Sequence, residues 1–324
     1  MSLNRRQFLT TSSLAAIAST LDLRQVFAQA TQAGAFRPAQ AATAQAPPAT
    51  PQTAFTAIRG TVGFFTGQGG TIGYHLSTDG MAVVDAQMPA SAKIFLDGLR
   101  LREFRGPIDY LVNTHHHNDH TGGNPVLQPA VKKILAHVNC PKLQRAAAAR
   151  AAAARPDAPA QEMVVADTTF ATTWRERVGA ETMALKYYGP AHTSGDAVVT
   201  FEQANVVHMG DLMFNRSHPY IDKPAGASIA NWIKVLDSVV ADHAADTIYI
   251  YGHAGAKFQV TGGRADLAHM RDYLTALLEF VRGEIKAGKP KDVIVGIKDP
   301  LKGFPDHGPL ISRVLTAAYE ELAG

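Results

Sequence analysis

The residues that could carry chemistry are concentrated in one short stretch, Thr114-His115-His116-His117-Asn118-Asp119-His120-Thr121-Gly122-Gly123. It follows directly on the apolar run Asp109-Tyr110-Leu111-Val112-Asn113, so a strand end supports a tight, glycine-closed loop. His115 and His117 lie at i and i+2 and can point the same way from an extended backbone. Asp119 and His120 follow at once and can face a second centre. Imidazole nitrogen with carboxylate oxygen and no thiolate suits zinc and also accepts iron or manganese. Further ligand types stand at other strand ends, each flanked by small residues: His192 in Gly189-Pro190-Ala191-His192-Thr193-Ser194-Gly195-Asp196, Asp211 in His208-Met209-Gly210-Asp211, and His253 in Gly252-His253-Ala254-Gly255.

Elements of the right kind surround these motifs. Strands are expected at Thr56–Phe65, Gly70–Ser77, Met81–Asp85, Ile108–Asn113, Val131–His137, Met163–Phe170, Met183–Tyr188, Ala197–Phe201, Val206–His208 and Thr247–Tyr251. Helices are expected at Ser91–Leu101 with Ser91 as N-cap, Leu143–Arg155, Ile229–Ala244, Ala265–Lys286 and Leu310–Leu322. Strands lead each half and helices follow. This order predicts two sheets packed face to face with helices outside, in one domain over residues 55–324.

The set His115-x-His117-x-Asp119-His120, followed in order by His192, Asp211 and His253, resembles the metallo-β-lactamase superfamily. The resemblance implies an α/β fold, the four-layer αββα sandwich, over essentially all of 55–324. Residue by residue it implies that His115, His117 and His192 bind a first metal. Asp119, His120 and His253 would bind a second, and Asp211 would bridge both. Two Zn2+ are the expected cofactors, with Fe or Mn as alternatives. Metals roughly 3.5–4 Å apart can deprotonate a shared water, and the resulting bridging hydroxide would attack a carbonyl-type small-molecule substrate: an ester, lactone, thioester or amide. Asp119 is then catalytic as well as a ligand. His117 occupies the place where oxygen-reducing di-iron members carry Glu, which favours hydrolysis. Asp211 stands where zinc β-lactamases mostly have Cys or Ser, which favours the lactonase-like and glyoxalase-II-like branch. A β-lactam-hydrolysing enzyme and a mono-iron sulfur dioxygenase remain the alternatives.

Three other residues are candidates beyond the ligand set. Asp85 ends the run Met81-Ala82-Val83-Val84-Asp85; the resemblance implies that it supports the metal ligands from behind, and the alternative is a turn cap. His218 and Tyr220 lie in the 212–228 loop and could meet substrate. His116 is expected to point away from the metals, Phe64 and Phe65 to pack in the core, and Cys140 to be a small buried side chain. His75, His137, His208, His243, His269 and His307 have no ligand context.

The amino terminus has a different character. Arg5-Arg6-Gln7-Phe8-Leu9, a mildly apolar stretch from Leu14 to Ala18, and Ala28-Gln29-Ala30 resemble a twin-arginine export signal with its cleavage site over residues 1–30. Residues 31–54 are almost wholly Ala, Pro, Gln and Thr without apolar periodicity, the composition of a disordered linker. The expectation is a periplasmic or secreted protein that meets the Tat machinery and has no membrane anchor after cleavage. In residues 1–54, Arg5, Arg6, Arg24 and Arg37 stand against Asp22 alone, so the formal +3 of the 324-residue chain belongs to that stretch. The remainder is neutral, which argues against a nucleic-acid partner. A single cysteine excludes an internal disulfide and a Cys-rich zinc module.

Overall fold

A computed structural model of the protein describes residues 53–157 and 162–324. The expected signal (1–30) and nearly all of the expected linker (31–54) lie outside the described residues. Ala54 is already the first residue of a strand.

The first sheet has seven strands in sequence order. They are β1 (Ala54–Arg59), β2 (Val62–Thr66), β3 (Ile72–Ser77), β4 (Gly80–Val84), β5 (Ile108–Asn113), β6 (Val131–His137) and β7 (Thr168–Phe170). The strands β1 to β4 pair antiparallel and β4 to β7 parallel. The second sheet contains β8 (Thr173–Val178), β9 (Glu181–Lys186), β10 (Val198–Phe201) and β11 (Val206–His208). A two-residue strand, β12 (Phe214–Asn215), follows, then β13 (Ile248–Ile250), β14 (His253–Ala254) and β15 (Thr261–Gly262). The order in the second sheet is β15-β13-β11-β10-β9-β8, and β12 pairs with β14 separately. The helices are α1 (Pro89–Leu101), α2 (Asn118–Thr121), α3 (Asn124–Leu127), α4 (Cys140–Ala154), α5 (Ile229–Asp242), α6 (Arg264–Lys286), α7 (Lys291–Val295) and α8 (Ser312–Ala323).

Strand alternation divides the apolar side chains among three cores. In β4, Ala82 and Val84 face the second sheet, where they meet Met183, Val199 and Phe201. Met81 and Val83 face the other way and pack with Phe95 and Leu99 of α1. In the second sheet, Val199 and Val206 point inward. Val198, Val207 and Tyr249 point outward to Trp232 of α5, Leu274 and Leu277 of α6 and Leu315 of α8. Helix, sheet, sheet and helix therefore form the expected four-layer αββα sandwich. Among the described residues no helix is long and apolar enough to cross a membrane.

Several elements differ from expectation. Thr56–Phe65 is two strands, because Gly60 adopts φ +56° and turns the chain. Helix α1 starts at Pro89, and Ser91 Oγ accepts from the Gln68 amide in place of capping the helix. Pro141 in the first turn of α4 fits its missing N–H, so that helix starts three residues early. Only Thr168–Phe170 of Met163–Phe170 pairs as strand. The edge strand β8 went unseen because Thr173-Trp174-Arg175-Glu176-Arg177-Val178 buries only Val178 and shows no apolar alternation.

The topology gathers the motifs at one edge. The strands β4 and β5 are parallel neighbours, as are β11 and β13, and all four end at that edge. Asp85, the 114–120 loop, Asp211 and His253 follow those ends directly. His192 precedes β10, which runs antiparallel to β11, and so arrives at the same edge. The sheets are tied there by Ala197 N–H to the Thr114 carbonyl (2.7 Å) and Thr71 N–H to the Gly252 carbonyl (3.0 Å).

Candidate metal centre

The seven sequence-predicted ligands come together in two sets. His115, His117, His192 and Asp211 form one, with donor atoms within 4.8 Å of one another. Asp119, His120 and His253 form the other under the same limit. Asp211 stands between them. Its Oδ2 lies 3.5 Å from His192 Nε2 and 3.8 Å from His115 Nε2, while its Oδ1 lies 3.0 Å from His120 Nε2 and 3.4 Å from His253 Nε2.

Four of the five rings, those of His115, His117, His120 and His192, are aimed by an acceptor behind them, which turns the opposite nitrogen toward the centre. His192 Nδ1–H donates to the Tyr220 carbonyl at 2.7 Å. His117 Nε2–H donates to Asp222 Oδ2 at 2.8 Å. His120 Nδ1–H donates to Asp85 Oδ2 at 2.7 Å. The Thr114 hydroxyl donates to Asp85 Oδ2 (2.8 Å), so it accepts from His115 Nδ1–H (3.0 Å). One buried carboxylate thus fixes His120 directly and His115 through Thr114. Asp85 itself holds φ +66° and Gln87 φ +56°, left-handed backbone that non-glycine residues rarely adopt and that clusters at functional sites.

The inward-facing atoms meet chiefly one another. His115 Nε2 is buried without a hydrogen bond, and Asp211 Oδ1 has only the ring nitrogens of His120 and His253 within reach. His117 Nδ1 and His192 Nε2 face each other at 3.0 Å, and with both outer nitrogens donating, both inner ones carry lone pairs. A cation between them converts that repulsion into ligation. The residues present therefore fit a metal pair on the chemistry of their donors.

The electrostatics agree. Burial opposes the charge on Asp211, but His253, His120 and His115 outweigh it and hold the carboxyl well below its usual range. Burial pushes His192 down to about 3, so its ring is neutral and able to ligate. Burial also pulls His253 down, but Asp211 and Asp119 outweigh it and raise the ring to about 9. The carboxylates hold a proton that a divalent cation would replace.

The centre opens into a cavity of about 390 Å3. His117, Asp119, Asp211 and His253 line one part of it, and Phe214, Tyr220 and Arg313 another. The β12–β14 pairing puts Phe214 beside His253, their rings stacked at 5.2 Å. Arg313 lies over the Tyr220 ring at 5.1 Å.

The candidates outside the ligand set divide. Asp85 bonds His120 and Thr114 from behind the centre. Tyr220 reaches the cavity. His218 is turned away, bonded through Nδ1 to the Tyr273 hydroxyl (2.7 Å) and through Nε2 to the Pro309 carbonyl (2.9 Å). Phe64, Phe65 and Cys140 are buried as expected. His208 ties the sheets by donating to the Thr71 carbonyl. Asp222, Thr114 and Arg313 were missed. Asp222 lies in the loop that His218 and Tyr220 had marked, but nothing in Tyr220-Ile221-Asp222-Lys223 distinguishes an orienting carboxylate from a turn.

Residues 72–253 match the family model described as the metallo-beta-lactamase superfamily. The chain belongs to that family. It is 26% identical over 188 residues to a hydroxyacylglutathione hydrolase from Methylococcus capsulatus, a match covering 58% of this chain and 65% of that protein. The chain thus spans just under two thirds of the length of this relative. Among solved structures it resembles a metallo-beta-lactamase from Pontibacter korlensis (TM-score 0.56, 18% identity, 69% of this chain and 99% of the other). It also resembles a stereoselective inverting sec-alkylsulfatase from Pseudomonas sp. (TM-score 0.64, 16% identity, 84% and 50%). At these identities the structural likenesses bear on fold alone.

Proposed function

We propose that the protein is an exported, dinuclear, zinc-dependent hydrolase acting on a small carbonyl substrate, an ester, lactone, thioester or amide. The observation that carries this reading is Asp211, whose two oxygens face two separate sets of ligands. Such a carboxylate suits two ions, and a mononuclear iron site would leave Asp119, His120 and His253 without a purpose. When bound, a divalent pair lowers the pKa of a shared water and polarises a carbonyl oxygen. His115, His117, His192 and Asp211 would hold one ion, and Asp119, His120, His253 and Asp211 the other.

The chain's own residues do the rest. Asp119 is 37% exposed and its Oδ2 lies 3.1 Å from His253 Nε2, so it faces both the ligands and the open cavity. It orients the attacking water, accepts its proton and returns one to the leaving group. Asp85, Asp222 and the Tyr220 carbonyl keep the imidazoles in the ligating tautomer. Phe214 and Tyr220 narrow the cavity and restrict water around the substrate.

The test is a panel assay of zinc-loaded protein on acyl lactones, thioesters, aryl esters and a chromogenic cephalosporin. Turnover of one class, lost in His115→Ala, supports the reading. No turnover of any carbonyl substrate by a fully loaded protein contradicts it. Export by the Tat pathway rests on Arg5-Arg6 and its context. Cell fractionation should find the wild type outside the cytoplasm and the Arg5→Lys/Arg6→Lys variant retained within it.

A further inference from the structure

We propose that a groove walled by the alanine-rich helix α4 receives an apolar acyl arm of the substrate. This rests on the hydrolase reading and adds the substrate's chemical class to it. The sequence Ala146–Ala149, Arg150, Ala151–Ala154 is helix-favouring, but helix propensity does not require a bare methyl face. In the structure Gln144, Ala147, Ala148 and Ala151 fall at i, i+3, i+4 and i+7, one face of α4. Gln144 at one end of that face donates to the Val164 carbonyl, whereas among the described residues nothing buries Ala148 or Ala151. Only Cys140, Pro141 and Gln144 of the helix are buried. It overlooks a cavity of about 290 Å3 whose other walls include Met163, 40% exposed, and His116.

Two observations tie this groove to a ligand. His117 and Asn118 line both it and the metal cavity, so the two are neighbouring parts of one depression. His116, only 2% exposed, lines the groove with its Nε2 3.5 Å from Asp222 Oδ2 and its Nδ1 without a hydrogen bond. A ligand passing over it can supply a polar partner near the reacting carbonyl and methylene contacts farther along. The direction of the arm follows from proton demand. The leaving group needs a proton and Asp119 is the exposed carboxyl that can give one; Asp119 and His253 line the metal cavity and not the groove. The acyl side therefore lies toward His117 and the alanine face.

The test uses full-length, zinc-supplemented protein titrated calorimetrically with butanoate, hexanoate, octanoate and decanoate. Affinity should rise roughly threefold to tenfold for each two carbons added. Ala148→Trp and Ala151→Trp, both at exposed helix positions, should flatten that trend, and Ala149→Trp should leave it intact. Aryl esters of the same acids report the second arm, with kcat/KM rising along the acyl series in the wild type and flat in the two tryptophan variants. Affinity independent of chain length, a trend unchanged by both variants, or a length dependence that follows the alcohol and not the acid overturns the proposal. If no ester is turned over while the binding trend and its loss persist, the hydrolase reading fails and the groove stands. If acetate and decanoate esters react alike in all variants, the groove fails and the hydrolase reading stands.

Discussion

Asp85 Oδ2 and His120 Nδ1 lie 2.7 Å apart, and both side chains are fully buried. The pair makes Asp85 a structural part of the metal centre although it faces no ligand position. Asp85→Asn keeps the shape but sets an NH2 group against either the Thr114 backbone N–H, which donates to Oδ1, or the His120 ring and Thr114 hydroxyl, which donate to Oδ2, so the three donors can no longer all be held. Affinity for the ion at the Asp119, His120 and His253 set should fall about 10–100-fold. Chelator competition would measure it. Asp222→Asn should produce the complementary loss at the His117 set, and identical stoichiometric effects from the two variants would contradict the two-set assignment.

Close approach of backbone to ligand makes a second prediction. A Cβ built on Gly252 would collide with Asp211 Oδ1, and one on Gly70 with the His120 ring. Gly252→Ala should displace the shared carboxylate and weaken both ion positions together. Gly70→Ala should weaken chiefly the His120 set. Metal content after dialysis, with circular dichroism to verify folding, distinguishes them. Full occupancy of both positions in a folded Gly252→Ala protein would contradict the role given to Asp211.

The site was more legible than its support. His115, His117, Asp119 and His120 stood out because ligand residue types crowd into six positions after an apolar strand. His192, Asp211 and His253 were legible because each ends or precedes a strand amid small residues. The orienting groups were not. Asp222 meets His117 across 105 residues, and the Tyr220 group that matters to His192 is a backbone carbonyl, invisible to residue type. His218 misled because a histidine on a loop near the site carries no sign of the direction it faces. The fold followed the same logic. Strands buried on both faces, such as β4 and β5, were read closely, whereas the polar edge strand β8 gave no hydropathic signal.

A third prediction concerns stability away from the metals. His269 Nε2 and His307 Nε2 are 3.2 Å apart, and burial followed by the neighbouring His269 lowers His307 from 6.5 to about 3. Between those values the unfolded chain binds a proton that the folded chain refuses. Stability from this residue is present above pH 6.5 and is lost as pH falls toward 3. By pH 5 the loss should be about 2 kcal/mol. Urea unfolding at pH 7 and pH 5 would show it, and His307→Gln should flatten the difference. An equal loss in the variant and the wild type would contradict the account.

The central claim is that one carboxylate, Asp211, joins two ion positions. Elemental analysis of the purified protein, alongside His253→Ala, tests it most directly. The account predicts two transition-metal ions per chain in the wild type and one in the variant. A single ion in both proteins, or none in the wild type after metal supplementation, would contradict it.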